Sequence, residues 1–192
     1  CYQLVRTYKV TDQCGFSTTF THTINVVDDV APVIGDNNLN TTLTSTNCNF
    51  TLPDFTAAVR AISSDNCTVK EALEITQNVR AGTTYTPGTT PQTVTVTVKD
   101  ACGNTSTKDI DVTIPAALTV SLVPENETCA GSDGKINYTI AGGTAGYTVV
   151  LSDGSATQTA TYTATGTYTF TGLKAGTYTV TVTDDNGCTA TA

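Results

Sequence analysis

Residues 176–188 read Gly-Thr-Tyr-Thr-Val-Thr-Val-Thr-Asp-Asp-Asn-Gly-Cys. Tyr178, Val180 and Val182 alternate with threonines until a polar turn halts them and a cysteine follows. Successive side chains on a strand point to opposite faces, so this period of two specifies a half-buried β-strand. The same phrase occurs twice more, as Tyr8-Lys9-Val10-Thr11-Asp12-Gln13-Cys14-Gly15 and as Val94 to Asn104 through Asp100 and Cys102. The three aspartates, Asp12, Asp100 and Asp184, stand 88 and 84 residues apart, measured from 12 to 100 and from 100 to 184. A repeat of that length is the size of one Ig-like sandwich, so the expected fold is all-β, with tandem Ig-like antiparallel β-sandwich modules.

Composition agrees. Threonine alone supplies more than a fifth of the chain, while charged residues make up only 14%. β-Branched threonine favours strands, and its hydroxyl keeps an outer face wet. The net charge of −8 argues against nucleic acid and anionic membranes as partners. No apolar run reaches the ~18 residues of a spanning helix, so no membrane insertion is expected. Seven cysteines in a strand-rich chain point to an oxidising, extracellular compartment. No catalytic constellation is visible: His22 is the one histidine and falls on the apolar parity of its strand, and Asp184-Asp185 reads as a solvated turn. The chain is expected not to be an enzyme.

The pattern divides the chain into residues 1–30, the last two strands of a truncated module (Leu4–Thr11 and Ser17–Val27), then a module over 31–114 and another over 115–192. In the second, strands are expected at Leu39–Thr44, Phe50–Leu52, Leu73–Val79, Gln92–Lys99 and Ser106–Ile114. Asp54 is expected to cap a short helix to Ile62, with Phe55, Val59 and Ile62 on one face. The third carries strands at Leu118–Val123, Lys135–Ile140, Tyr147–Leu151, Thr159–Thr163, Tyr168–Thr171 and Thr177–Thr183. Leu173 to Tyr178 is similar to a tyrosine corner, whose hydroxyl bonds back to the main chain.

Residues 31–114, through Leu52-Pro53-Asp54-Phe55-Thr56, Ser64-Asp65-Asn66-Cys67 and Asp100-Ala101-Cys102-Gly103-Asn104, resemble hyalin-repeat (HYR-type) modules, and residues 1–32 resemble the end of a related copy. Residues 116–192, through Gly142-Gly143-Thr144-Ala145-Gly146-Tyr147 and the stretch from Leu173 to Cys188, are similar to the SprB-type repeat of large Bacteroidota surface adhesins. These resemblances imply a stalk or spacer of a long cell-surface protein or filament. Its partners would be neighbouring modules of the same chain, with self-association or surface glycans in addition. A second reading takes the outward threonines Thr177, Thr179, Thr181 and Thr183, with Thr93, Thr95 and Thr97, as glycan- or ice-binding rows.

An Ig-like topology brings Cys67 and Cys102 to the same pole, so they are expected to pair. Cys1 and Cys14, separated by a whole strand, are not, and Cys14 is left wanting an upstream partner. Within the third module Cys129–Cys188 is the default, with Cys48–Cys188 as the alternative. The same pole gathers Asp28, Asp29, Asp65, Asn66 and Asp100. Those oxygens could hold Ca²⁺ at the module junction, or the aspartates could simply be turn formers.

Overall fold

The computed structural model describes residues 1–128 and 131–192. The chain divides into two compact units, one of residues 1–39, 55–79 and 94–110, the other of 40–54, 80–93 and 111–192.

The chain opens with a hairpin, β1 (Tyr2–Thr11) and β2 (Ser17–Val26), in register from Tyr2↔Val26 to Thr11↔Ser17. Its alternation is that of a strand pair that should face a core. Yet Tyr2, Val5, Val10 and Phe20 are more than half exposed, and Tyr8 stacks on Phe20 at 5.0 Å. Two strands cannot enclose a core, so the apolar face stays open. His22 lies on that exposed ribbon opposite Arg6.

Next come β3 (Val33–Ile34), β4 (Thr41–Thr42), β5 (Phe50–Thr51), helix α1 (Thr56–Ala61) and β6 (Ser63–Ser64). A single 3₁₀ turn over Lys70–Ala72 leads to β7 (Glu74–Gln77), β8 (Thr84–Tyr85), β9 (Gln92–Lys99) and β10 (Thr105–Thr113). One sheet runs in the order β4-β10-β9-β7, and the two-residue β4 lies parallel to β10. β3 pairs with β6 and β5 with β8. On β9, Val94, Val96 and Val98 are wholly buried and the threonines between them are not, as the alternation requires. A fully buried side chain of this kind contributes ~1.5–3 kcal/mol.

Helix α1 begins one residue later than expected. Phe55, not Asp54, is the N-cap, and its own side chain makes no capping bond. The amide of Phe55 donates to Gln77 Oε1 (2.9 Å) and its carbonyl accepts from Val59; Phe55 and Val59 are both buried.

Seven strands close the chain: β11 (Thr119–Glu125), β12 (Gly134–Ala141), β13 (Tyr147–Ser152), β14 (Thr157–Tyr162), β15 (Gly166–Leu173), β16 (Thr179–Thr183) and β17 (Thr189–Thr191). They form an antiparallel pair of sheets, β11-β12-β15 and β14-β13-β16-β17. Ile136, Tyr138, Ile140 and Phe170 of the first sheet are buried, as are Tyr147, Val149, Leu151, Val180 and Val182 of the second. The wholly buried Tyr138 stacks on Phe170 at 4.9 Å and shares a 2.7 Å hydroxyl bond with Tyr162. Burial and that bond push its phenol pKa well above the ordinary range. The tyrosine corner forms as expected, with Tyr178 Oη donating to the carbonyl of Lys174 (3.0 Å). The fold is all-β and Ig-like.

Candidate functional site

The repeated phrase folds three times into the same turn. Asp12 Oδ1 accepts the amides of Cys14 and Phe16 (2.9 and 2.8 Å). Asp100 Oδ1 accepts those of Cys102 and Asn104 (both 2.8 Å). Asp184 Oδ1 accepts those of Asn186 and Cys188 (3.0 and 2.8 Å). Each turn is closed by a main-chain bond from the aspartate amide to the carbonyl four residues on. Each also passes through a glycine of positive φ: Gly15 (89°), Gly103 (97°) and Gly187 (73°). L-residues avoid that region, which is why glycine recurs there.

The copies differ in where the cysteine stands. In the second copy it follows the aspartate by two residues (Cys102), in the third by four (Cys188). Cys102 is bonded to Cys1, with Cα atoms 4.9 Å apart, and Cys67 is a free, exposed thiol. The expected Cys67–Cys102 pair is therefore corrected. The hairpin register Tyr2↔Val26 sets Cys1 beside the chain leaving β2. Asn104 Nδ2 then ties the Asp28 carbonyl (3.0 Å) and Asp100 Oδ2 (2.7 Å) together, which delivers Cys1 to Cys102. Cys1, Asp28, Cys67 and Ala101 line one shallow cleft. Desolvation and the Asp28 carboxylate there hold the Cys67 thiol above its ordinary pKa.

Cys188 is bonded to Cys48, the alternative pairing, so the default Cys129–Cys188 is also corrected; Cys129 itself lies outside the described residues. The segment around Cys48 is laid on the third turn by main-chain bonds. Cys48 N donates to Asn186 O (2.7 Å) and Ser45 N to Asn186 Oδ1 (2.9 Å). A Cβ on Gly187 would strike the Thr46 carbonyl. Cys14 is free and exposed at the far end of the hairpin from Cys1.

Around the second turn lies a group of carboxylates. Oxygens of Asp28, Asp65 and Asp100 fall within 4.8 Å of one another. Asp28 and Asp100 are 8% and 4% exposed. Asp65 Oδ2 accepts the amides of Cys67 and Thr68 (3.0 and 2.7 Å), and the Thr68 hydroxyl accepts the Ala101 amide (3.1 Å). Burial works to raise the pKa of Asp100, but donors from Asn104, Cys102 and Gly103 outweigh it and hold the group below the usual carboxylate range. Of the five residues expected to converge, three share the carboxylate group and Asn66 reaches it as a donor. Asp29 is exposed and outside the group. Asn66 turns its amide to Asp28 Oδ1 (3.3 Å) instead of offering a carbonyl. The residue that sequence reasoning undervalued is Asn104, which clamps two of the segments.

The threonine rows divide. On β9, Thr95 and Thr93 hydroxyls donate to Asp109 (2.7 Å) and Asp111 (3.2 Å). Thr177 precedes β16 and is not on the strand. Thr179, Thr181 and Thr183 do stand on an outer face, in register with Thr148 on β13 and with Thr189 and Thr191 on β17.

No family model and no curated protein matches the chain. Among solved structures it is similar to the human desmocollin-1 ectodomain, at a TM-score of 0.38 and 13% identity over 99% of this chain and 43% of that one. It is similar to the N-terminal four Ig domains of Dscam1 isoform 8.4, at 0.33 and 13% over 93% and 51%. To mouse clustered PcdhgC3 EC1-3 the values are 0.32 and 13% over 98% and 76%. The chain spans about half the length of the first two. No helix among the described residues is long and apolar enough to cross a membrane.

Proposed function

We infer that this chain is a structural, non-catalytic segment of a long extracellular surface protein, which spans distance and bears tension for an adhesive region elsewhere. The reading includes a bacterial stalk or filament, which the HYR-type and SprB-type resemblances of the sequence support. The observation that carries it is the overlap of the two disulfides. Two short covalent routes join residues 1 and 188: the backbone from 1 to 48 and then Cys48–Cys188, 47 steps, and Cys1–Cys102, the backbone back to 48 and Cys48–Cys188, 54 steps. At ~3.5 Å per residue the shorter limits extension to about 165 Å, against about 650 Å with both bridges open. Residues 103–187 lie on neither route, so their fold is shielded from load.

The test is single-molecule pulling on the full chain, with and without reductant. The oxidised chain should lengthen to about 165 Å and the reduced chain to about 650 Å. Oxidised molecules that extend to the reduced length would refute the load-bearing reading. A second reading rests on the threonine face of β13, β16 and β17: it would contact a hydroxyl-rich surface such as a glycan. Glycan-array binding that is lost on Thr181→Val would favour it.

A further inference from the structure

We propose that Asp28, Asp65 and Asp100 bind one calcium ion, a site that stands independently of the load-bearing reading. The first observation is spacing. Oxygens from the three carboxylates lie within 4.8 Å of one another. Three oxygens at that limit have a common centre about 2.8 Å from each, a few tenths of an ångström beyond the calcium–oxygen range of about 2.3–2.6 Å, so a small inward shift seats the ion.

The second observation is unmet valence. One oxygen of each carboxylate holds its own segment. Asp28 Oδ1 takes the Val30 amide (3.2 Å) and Asn66 Nδ2 (3.3 Å). Asp65 Oδ2 takes two amides, and Asp100 Oδ1 takes two. The second oxygen of Asp100 accepts Asn104 Nδ2 (2.7 Å), but those of the other two are left over: Asp28 Oδ2 and Asp65 Oδ1 are buried with no hydrogen-bond partner. Asp28 is more than nine-tenths buried, so water does not readily satisfy it. Buried polar groups without partners are rare, and buried carboxylates facing each other rarer, because each must be paired, protonated or metal-bound.

The repeated turn itself is satisfied by protein in both places: the second oxygen of Asp184 receives the Thr144 amide (2.8 Å) and that of Asp100 receives Asn104 Nδ2 (2.7 Å). What the second turn adds is Asp28 and Asp65 beside it, whose second oxygens have no such donor. The donor set is all hard oxygen and excludes the Cys67 sulfur, which favours calcium over a thiophilic metal. Water completes the shell. Bound there, the ion joins the segment after β2, the loop after β6 and the turn after β9.

The test uses the full oxidised chain, calcium chloride titrated by calorimetry, and thermal melts in calcium, magnesium or chelator. One ion should bind with a Kd of ~10⁻⁴–10⁻³ M, the range of extracellular calcium modules. In 10 mM calcium Tm should rise by about 3–10 °C over chelator. Asp28→Asn keeps an acceptor for Val30 and turns an amide toward Asp65. It should raise Tm in chelator and abolish the calcium shift. Asp65→Asn should also abolish the shift, and decides the matter if the first variant does not fold. Absence of saturable heat up to 10 mM, or an undiminished calcium shift in the folded variants, overturns the proposal. An equal shift in magnesium overturns the assignment to calcium.

Discussion

Replacing Asp184 by alanine tests how far burial, not turn chemistry, sets the worth of the repeated aspartate. The side chain is 5% exposed and accepts three amides, from Asn186, Cys188 and Thr144. Truncation leaves those donors unpaired, two of them in fully buried bonds. At ~1–3 kcal/mol for each unsatisfied buried group, and with some water entering the gap, the loss should be about 3–6 kcal/mol. Asp12→Ala is the control, because the same turn there is exposed on an open hairpin. Water replaces the lost acceptor at Asp12, so the cost should stay below ~1 kcal/mol. Urea unfolding of the oxidised chain, followed by far-ultraviolet circular dichroism, compares the two. Equal effects, or a loss at Asp184 under ~1 kcal/mol, would refute the argument from desolvation.

Gly187→Ala should destabilise by ~2 kcal/mol or more in the same assay, since it combines a φ of 73° with a Cβ against the Thr46 carbonyl. Hydrogen bonds lower the pKa of Asp133, from Thr128, and of Asp153, from Ala156 and Ser155, and donors also outweigh burial at Asp100. Groups with depressed folded pKa values stabilise fully above the unfolded value of ~3.9, and that stability is lost as pH falls through the folded values. Tm should therefore be flat across this range down to about pH 4 and drop below it, with a shallower drop in Asp133→Asn. Cys67 should alkylate slowly at pH 8, because the thiolate is the nucleophile and its pKa is raised; Asp28→Asn should speed the reaction.

Much of the architecture was legible in the chain. Strand β9 occupies the expected Gln92–Lys99, because three valines alternating with threonine leave no competing period. The tyrosine corner and the three aspartate turns follow from local sequence for the same reason. Strand β5 falls within the expected Phe50–Leu52, but β3, β6 and β8 did not show, since two residues carry no period. Helix α1 starts at a residue chosen by Gln77, which is distant in sequence. The carboxylate group was half legible: topology brings Asp28, Asp65 and Asp100 together, but side-chain direction excludes Asp29 and turns Asn66 into a donor. Disulfide partners were the least legible. Cys14 and Cys102 hold the same place in their turns, yet one is free and the other bonded, so the partner is set by the segment laid against the turn and not by the local sequence.

The two overlapping bridges set the covalent path through the chain, and a tryptic map without reduction tests them directly. Cleavage after lysine and arginine separates residues 1–6, 61–70, 100–108 and 175–192, and leaves Cys14 and Cys48 together on 10–60. With free thiols blocked beforehand, 1–6 should be joined to 100–108, and 10–60 to 175–192, with Cys67 recovered blocked on 61–70. A peptide joining 61–70 to 100–108, or Cys129 to Cys188, would contradict the covalent path on which the load-bearing reading stands.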